Sequence, residues 1–277
     1  MKRIPREGMK LLPDERLNEL VELLDAAGEK ILEISKGGFL AYQKSDSSPV
    51  TDADLASEAI LHKGLEKLGG GILSEEATPD DSDIFRDGVW IVDPLDGTRG
   101  FIEGTGEFSV MVGFVDKEEV QLGITHIPAQ KTFYLAQRER GAYLLNQQGE
   151  MERIHTSSVA VLGEARILVS RFHLEHRDQL FLQEHCKVKH LLSCGSIGVK
   201  LALIAQGKAE GYLTRTDHTS WWDICAPDLI LREAGGMVTD TKGERFRYHG
   251  REVKNPNGIV AANPFIHSQL IEKLSLL

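Results

Sequence analysis

Val89-Trp90-Ile91-Val92-Asp93-Pro94-Leu95-Asp96-Gly97-Thr98 begins as an apolar strand and ends as an acidic turn. The strand delivers Asp93 to a sheet edge, and Pro94 fixes the chain direction. Asp96 comes three residues after Asp93, so a tight turn brings both carboxylates to one point. The carbonyl of Leu95 lies between them as a further oxygen donor. Gly97 and Thr98 can start a helix whose free backbone N–H groups face an anion. Hard oxygen donors on a turn suit magnesium, which keeps several waters and shares phosphate oxygens. Acidic turns are also common on surfaces, so the two carboxylates alone leave a solvated turn open.

Upstream, residues 14–36 have helical spacing, with Leu17, Leu20, Val21, Leu24 and Ile31 on one face. Gly37-Gly38 ends that helix. A polar stretch from Lys44 to Ser48 precedes Pro49. Thr51-Asp52-Ala53-Asp54 opens a second helix with the pattern of a capping box. Its expected buried stripe is Leu55, Ala56, Ala59 and Ile60, and Gly69-Gly70-Gly71 terminates it. Ile72-Leu73 is a short strand leading to Ser74-Glu75-Glu76. Residues 77–88 read as an acidic loop.

Downstream, strand-like runs at Phe108–Val115, Val120–Ile127, Thr132–Ala136 and Ala142–Leu145 have short connections, which predicts an antiparallel meander. The second half alternates strand and helix. Ile167-Leu168-Val169, Leu191-Leu192, Glu210–Leu213, Met237-Val238-Thr239 and Gly258–Ala261 are strands. Helices are expected over 174–185, from Ile197 to near Gly207, from Asp223 to Gly235-Gly236, and from Pro264 to Leu276. The 277 residues are expected to form one domain with two halves, about 1–150 (α+β, antiparallel sheet) and about 151–277 (α/β). Two sheets layered with helices fit this order better than one wound sheet.

At 41% hydrophobic and 27% charged, the composition is that of a soluble globular protein. A net charge of −10 argues against a nucleic-acid surface, which needs clustered Lys and Arg. It does not exclude an anionic substrate, because bound cations reverse the local field. The three cysteines, Cys186, Cys194 and Cys225, show no CxxC spacing and read as small buried thiols in a reducing cytoplasm. No run of about 18 apolar residues predicts a membrane span. The basic start lacks an apolar continuation, so no secretory signal is expected. The ten histidines have no metal-ligand spacing.

Taken singly, other acidic residues have ordinary readings. Asp54 fits a first-turn helix acid, Asp223 and Thr98 fit N-caps, and Glu75 and Glu76 fit solvated positions. Their order along the chain changes this. Asp93 to Thr98 matches the DPhiDGT motif (Phi, Ile or Leu) of the inositol monophosphatase superfamily. Ser74-Glu75-Glu76 resembles its GEE segment, with Ser in place of Gly. Trp222-Asp223-Ile224-Cys225-Ala226 resembles its WDxxA motif. Gly195-Ser196 before an apolar helix is similar to its substrate-phosphate contact. The resemblance spans about residues 15 to 262.

The resemblance implies an α/β (α+β) fold, a layered αβαβα sandwich, and a lithium-sensitive, magnesium-dependent phosphatase. It implies that Glu75, Asp93 and the Leu95 carbonyl hold one Mg2+, with Thr98 nearby. Asp93, Asp96 and Asp223 hold a second, and a third sits near Glu75 through water. Asp54 pairs with the Thr98 hydroxyl to orient and deprotonate the attacking water, and Glu76 supports Glu75. Gly97, Thr98, Gly195 and Ser196 contact the phosphate. The substrate is a small phosphate ester, no nucleic acid or membrane is involved, and relatives are often homodimers.

Residues beside the core motif bear on which ester. Arg99-Gly100-Phe101 resembles the Lys-x-Phe continuation of bisphosphate nucleotidases more than the Thr-Asn-Phe of inositol monophosphatases. Ser170-Arg171-Phe172-His173 is close to the SRSH segment of the bacterial bisphosphate nucleotidases. An arginine at that place is expected to grip a second phosphate bidentately; a solvated surface charge is the alternative. Cys225-Ala226-Pro227 departs from the usual continuation after Trp-Asp, and Pro227 is expected at the fourth helical position. The preferred expectation is removal of the 3′-phosphate of adenosine 3′,5′-bisphosphate. Inositol 1-phosphate and histidinol phosphate are alternative substrates. A non-catalytic partner-binding protein on the same fold is the alternative of another class.

Overall fold

The computed structural model describes residues 15–44, 48–77, 87–250 and 252–277. Residues 78–86 of the expected acidic loop, residues 45–47 of the polar stretch and the basic start lie outside the described residues. Helix α1 (Arg16–Gly37) buries Leu17, Leu20, Val21, Leu24 and Ile31, the stripe its spacing predicts. A small hairpin of β1 (Ala41–Gln43) and β2 (Pro49–Thr51) leads into α2 (Asp52–Leu65). Next come β3 (Gly71–Ser74), β4 (Val89–Asp96) and the short helix α3 (Thr98–Ile102). The expected meander follows as β5 (Ser109–Asp116), β6 (Glu119–Ile127), β7 (Thr132–Gln137) and β8 (Gly141–Leu145), extended by β9 (Met151–Ile154). These strands form a sheet in the order β3-β4-β5-β6-β7-β8-β9, antiparallel except for the parallel β3–β4 pair.

The second half supplies β10 (Arg166–Ser170), α4 (His176–Leu180), β11 (His190–Cys194) and α5 (Ile197–Ala205). It continues with β12 (Gly211–Thr214), α6 (Trp221–Glu233), β13 (Met237–Thr239), β14 (Ile259–Ala262) and α7 (Pro264–Leu274). Its sheet runs β11-β10-β12-β14-β13, with β10 parallel to both neighbours and β14 antiparallel to both of its own. Three apolar clusters define the layers. Helices α1 and α2 cover one face of the large sheet, α5 and α6 fill the space between the sheets, and α7 covers the outer face of the small sheet. This is the αβαβα sandwich. No helix among the described residues is long and apolar enough to cross a membrane.

Three local expectations are corrected. The buried face of α2 carries Ala53, Asp54, Ser57, Leu61 and Leu65, whereas Leu55 is 50% exposed, Ala59 is exposed and Ala56 and Ile60 are only half-buried. Polar residues claim the inward face: Ser57 Oγ donates to the Pro94 carbonyl at 2.7 Å, and Asp54 turns toward Thr98. Helix α6 starts at Trp221, so Asp223 is its third residue rather than its cap. The Ser220 N–H donates to Asp223 Oδ2 at 2.6 Å, the acid's half of a capping box. Pro227 is therefore the seventh helical residue, where it offers no N–H to the Asp223 carbonyl four residues back. The expected helix over 174–185 is α-helical only from His176 to Leu180 and continues as a π-helical turn over Phe181–His185.

Two glycines seat α6 close to the large sheet. Gly113 and Gly123 face each other across β5 and β6. A Cβ on Gly113 would stand 2.6 Å from Cys225 Sγ, and one on Gly123 would stand 2.6 Å from the Ala226 carbonyl oxygen. Bare backbone at both positions lets α6 approach and carries Asp223 in the first turn of that helix.

Candidate active site

Residues three apart on a regular strand point to opposite faces of the sheet. In β4 the register slips: Asp93 pairs with Met111, but Asp96 pairs with Ser109. Three residues of β4 thus span two of β5. This bulge at Pro94-Leu95 turns both aspartates to one side. Asp93 Oδ1 accepts from the Leu95 N–H at 3.0 Å, which closes the turn. Gly97 adopts φ +88°, a left-handed conformation glycine tolerates.

Asp223, arriving from α6, completes the group. Oxygens of Asp93, Asp96 and Asp223 lie within 4.8 Å of one another. The Glu75 N–H donates to the Val92 carbonyl at 3.2 Å, which sets Glu75 beside the strand end that carries Asp93. Glu75 stands outside the three-carboxylate group. Its Oε1 accepts from Lys44 Nζ at 2.9 Å, and the same ammonium donates to Glu76 Oε1 at 2.6 Å. On the other side, the Thr98 hydroxyl donates to Asp54 Oδ1 at 2.9 Å, with the Leu95 carbonyl 3.2 Å away. Asp54 Oδ2 accepts from the Thr51 N–H at 2.8 Å and the Thr51 hydroxyl at 2.6 Å.

Crowded acids in a dry place hold protons. Burial, then the charges of Glu75, Asp96 and Asp223, pushes the Asp93 carboxyl well above the usual carboxylate range. Burial, then Glu75 and Asp96, does the same to Asp223. Burial raises Glu75 and Glu76, with Lys44 opposing in both. It raises Asp54 against the hydrogen bonds from Thr51 and Thr98. For Lys44, burial pulls down, but the two glutamates win and hold it above its ordinary value.

The site fits a hard divalent cation. Asp93 Oδ2 is buried and has no hydrogen-bond partner among the described residues. Such an atom is costly unless something else binds it. Asp93 converges with Asp96 and Asp223, and oxygen donors of this kind select Mg2+-like ions over softer metals.

The inositol monophosphatase family model matches residues 12–276. The chain belongs to the inositol monophosphatase family. A 3′(2′),5′-bisphosphate nucleotidase CysQ of Aggregatibacter actinomycetemcomitans is 31% identical over 258 residues, covering 91% of this chain and 94% of that protein. A histidinol-phosphatase of Mycobacterium tuberculosis is 30% identical over 239 residues, covering 84% and 86%. The crystal structure of the extragenic suppressor protein SuhB of Bartonella henselae superposes with a TM-score of 0.81 at 26% identity, covering 94% of this chain and 98% of that one. The family makes the chain a phosphatase of the phosphoric monoester class.

In this family member, the expected phosphate contacts of the second half are already engaged. Ser196 is the N-cap of α5: its Oγ accepts from the Val199 N–H at 3.0 Å and donates to Asp96 Oδ2. Asp96 Oδ2 also accepts from Ser109 Oγ at 3.0 Å and the Gly198 N–H at 2.8 Å. These bonds fix one oxygen of Asp96 against α5, while Oδ1 lies 3.3 Å from the Ile197 N–H, a long contact. The Gly195 N–H donates to Glu107 Oε2 at 2.8 Å. Arg171, expected to grip a second phosphate, instead forks onto Glu107, with Nε to Oε2 at 2.7 Å and Nη2 to Oε1 at 2.6 Å.

Lys44, Ser109, Glu107 and Lys200 escaped the sequence reading. Lys44 stood in an unpatterned polar stretch, and the others act across long sequence separations. Lys200 is buried, donates from Nζ to the Cys194 carbonyl at 3.1 Å and lies 4.9 Å from the Tyr212 ring centroid. Burial pushes its pKa down, against the pull of Cys194, Asp96 and Glu107.

Proposed function

We propose that this phosphatase is Mg2+-dependent and removes the 3′-phosphate of adenosine 3′,5′-bisphosphate, giving AMP and phosphate. The observation that carries the metal-dependent chemistry is the meeting of Asp93, Asp96 and Asp223, whose oxygens lie within 4.8 Å of one another, together with the buried Asp93 Oδ2, which no donor among the described residues satisfies. The nucleotide is favoured by the 31% identity to a bisphosphate nucleotidase across 91% of the chain and by Arg99-Gly100-Phe101.

In this reading Asp93, Asp96, Asp223, Glu75 and the Leu95 carbonyl hold two or three Mg2+ ions. A bound Mg2+ supplies charge neutralisation at the phosphoryl group and makes water more acidic. Asp54 and Thr98 handle the nucleophile. Because the Thr98 hydroxyl donates to Asp54, its lone pairs remain to accept a hydrogen bond from water. As water attacks phosphorus and the bond from phosphorus to the 3′-oxygen breaks, the water proton moves to Thr98 Oγ while the Thr98 proton moves to Asp54 Oδ1, and the leaving 3′-oxygen takes a proton from solvent water to give AMP. Burial, which raises the Asp54 pKa, favours that transfer. The backbone N–H groups of Gly97 and Thr98 take the phosphate oxygens. Lys44 holds Glu75 and Glu76 in place. The same reading has the protein work in the cytoplasm, where the free, buried Cys186, Cys194 and Cys225 stay reduced.

The 30% identity to a histidinol-phosphatase favours a second reading, histidinol phosphate as substrate. A panel of adenosine 3′,5′-bisphosphate, inositol 1-phosphate and histidinol phosphate under Mg2+ separates them by kcat/KM. The bisphosphate is expected to lead. Equal or faster turnover of either other ester overturns the nucleotide assignment, and no Mg2+-dependent hydrolysis of any ester favours a non-catalytic binding protein.

A further inference from the structure

Glu107 lies in the link between α3 and β5 and touches both walls of the site. Its backbone carbonyl is packed against the turn after Asp96. A Cβ on Gly97 would stand 2.8 Å from that oxygen, and one on Gly100 would stand 2.6 Å from it. Both distances are below any ordinary contact, so these two glycines exist to admit the Glu107 backbone. Thr105 ties the link down, with its N–H donating to the Gly100 carbonyl at 3.0 Å and its hydroxyl 3.2 Å from the Glu107 N–H. The Glu107 carboxylate crosses to the other half of the molecule. There Oε2 accepts from the Gly195 N–H, one residue before the Ser196 that holds Asp96.

Arg171 completes the arrangement. Nε and Nη2 both face the Glu107 carboxylate, Nη2 also donates to the Ser193 carbonyl at 3.0 Å, and the Arg171 N–H donates to the Cys194 carbonyl at 3.1 Å. The fork that would embrace a phosphate is filled by a carboxylate. Neither side chain is deeply buried, at 38% exposure for Arg171 and 24% for Glu107. The pair itself is therefore a weak source of stability. Its geometry is bidentate, however, which fixes direction as well as distance. The hydrogen bonds from Arg171, against a smaller opposing effect of burial, hold the Glu107 carboxyl below its ordinary range, so it is ionised at neutral pH.

The geometry points to Glu107 as a positioning residue that sets the gap between the Asp96-Gly97-Thr98 turn and the Gly195-Ser196 entry to α5, with Arg171 acting through Glu107 rather than on the substrate. The inference rests on this site being a phosphate ester hydrolase, but not on which ester it prefers. Small displacements in such a gap are costly, because a misplacement of about 1 Å can lower turnover about 10²-fold.

The test compares adenosine 3′,5′-bisphosphate with adenosine 3′-monophosphate, which has the same scissile group and no second phosphate. Glu107→Ala and Arg171→Ala are each expected to lower kcat/KM about tenfold on both nucleotides. The double variant is expected to be no worse than Glu107→Ala, since both changes break one chain of contacts. Glu107→Gln, which keeps an acceptor for the Gly195 N–H, recovers part of the loss. Melting temperatures of all four variants stay within about 3 °C of the parent protein.

A loss in Arg171→Ala confined to the bisphosphate, with Glu107→Ala unchanged or improved, would overturn the inference and make Arg171 a phosphate grip. A fall in melting temperature with kcat/KM unchanged would overturn it in favour of a purely structural pair. If neither nucleotide is turned over, the nucleotide assignment fails on its own. The four variants are then compared on the ester that is hydrolysed, where an equal loss in the two alanine variants supports the inference and unchanged kinetics overturn it.

Discussion

Glu210 and Asp93 are both sealed from solvent, at 0% and 1% exposure, and the fold treats them in opposite ways. Glu210 receives two hydrogen bonds from the Arg166 guanidinium, at 3.0 and 2.6 Å, one from the Arg166 N–H at 2.7 Å and one from Ser157 Oγ at 3.0 Å. Burial acts to raise its pKa, but these donors prevail and the group sits below its ordinary value. Asp93 receives one N–H from its own turn and faces Glu75, Asp96 and Asp223, and its pKa is driven up. A fold able to satisfy one buried carboxylate so fully has left another in the company of like charges. The second arrangement is relieved by protons on the acids or by a cation among them, and that difference sets the candidate site apart from the rest of the molecule.

Neutralising each kind of acid should therefore have opposite consequences. Asp93→Asn is expected to lower turnover about 10⁴-fold, about 5 kcal/mol of barrier, while raising the melting temperature of the metal-free protein. Steady-state kinetics and melting curves without Mg2+ check both halves. Glu210→Ala is expected to do the reverse, costing about 2 kcal/mol in urea unfolding because it removes the acceptor of four hydrogen bonds from Arg166 and Ser157, while kcat stays within about twofold. Between these lies the proton relay. Thr98→Ala should lower kcat about 10²-fold, with the half-saturating Mg2+ concentration moving by less than about twofold. An unchanged kcat would show that another group orients the water. The smallest effect is expected at Ser57→Ala, which removes the bond to the Pro94 carbonyl behind the bulge and should cost about 1 kcal/mol of stability.

Much of the large sheet was legible because its strands alternate with clear turn signals and need no information from elsewhere in the chain. The meeting of Asp93, Asp96 and Asp223 was legible as well, though through their order along the chain more than through any one of them. The misreadings share a cause. On α2 the apolar pairs Leu55-Ala56 and Ala59-Ile60 gave a plausible stripe, but Ser57 faces inward onto the Pro94 carbonyl of β4 and Asp54 onto the Thr98 hydroxyl of α3. A pattern of hydrophobicity cannot register a buried face reserved for polar work. The start of α6 was misplaced because Asp223 was read as the cap, although Ser220 three residues earlier already offered the S-x-x-D spacing. Arg171 looked available because its partner, Glu107, lies 64 residues away in a segment of no special composition. Lys44 has the same explanation, reaching Glu75 across 31 residues.

The most direct measurement is the melting temperature of the parent protein from pH 5 to 8.5, with and without Mg2+. Asp93 and Asp223 bind protons more tightly in the folded chain than in the unfolded one, so the metal-free fold is best supported at low pH and loses that support as pH rises through the raised range. Mg2+ needs the ionised acids, so its stabilising effect should grow with pH and vanish in Asp93→Asn. Melting temperatures that ignore Mg2+ at every pH would contradict the metal-site account at its root.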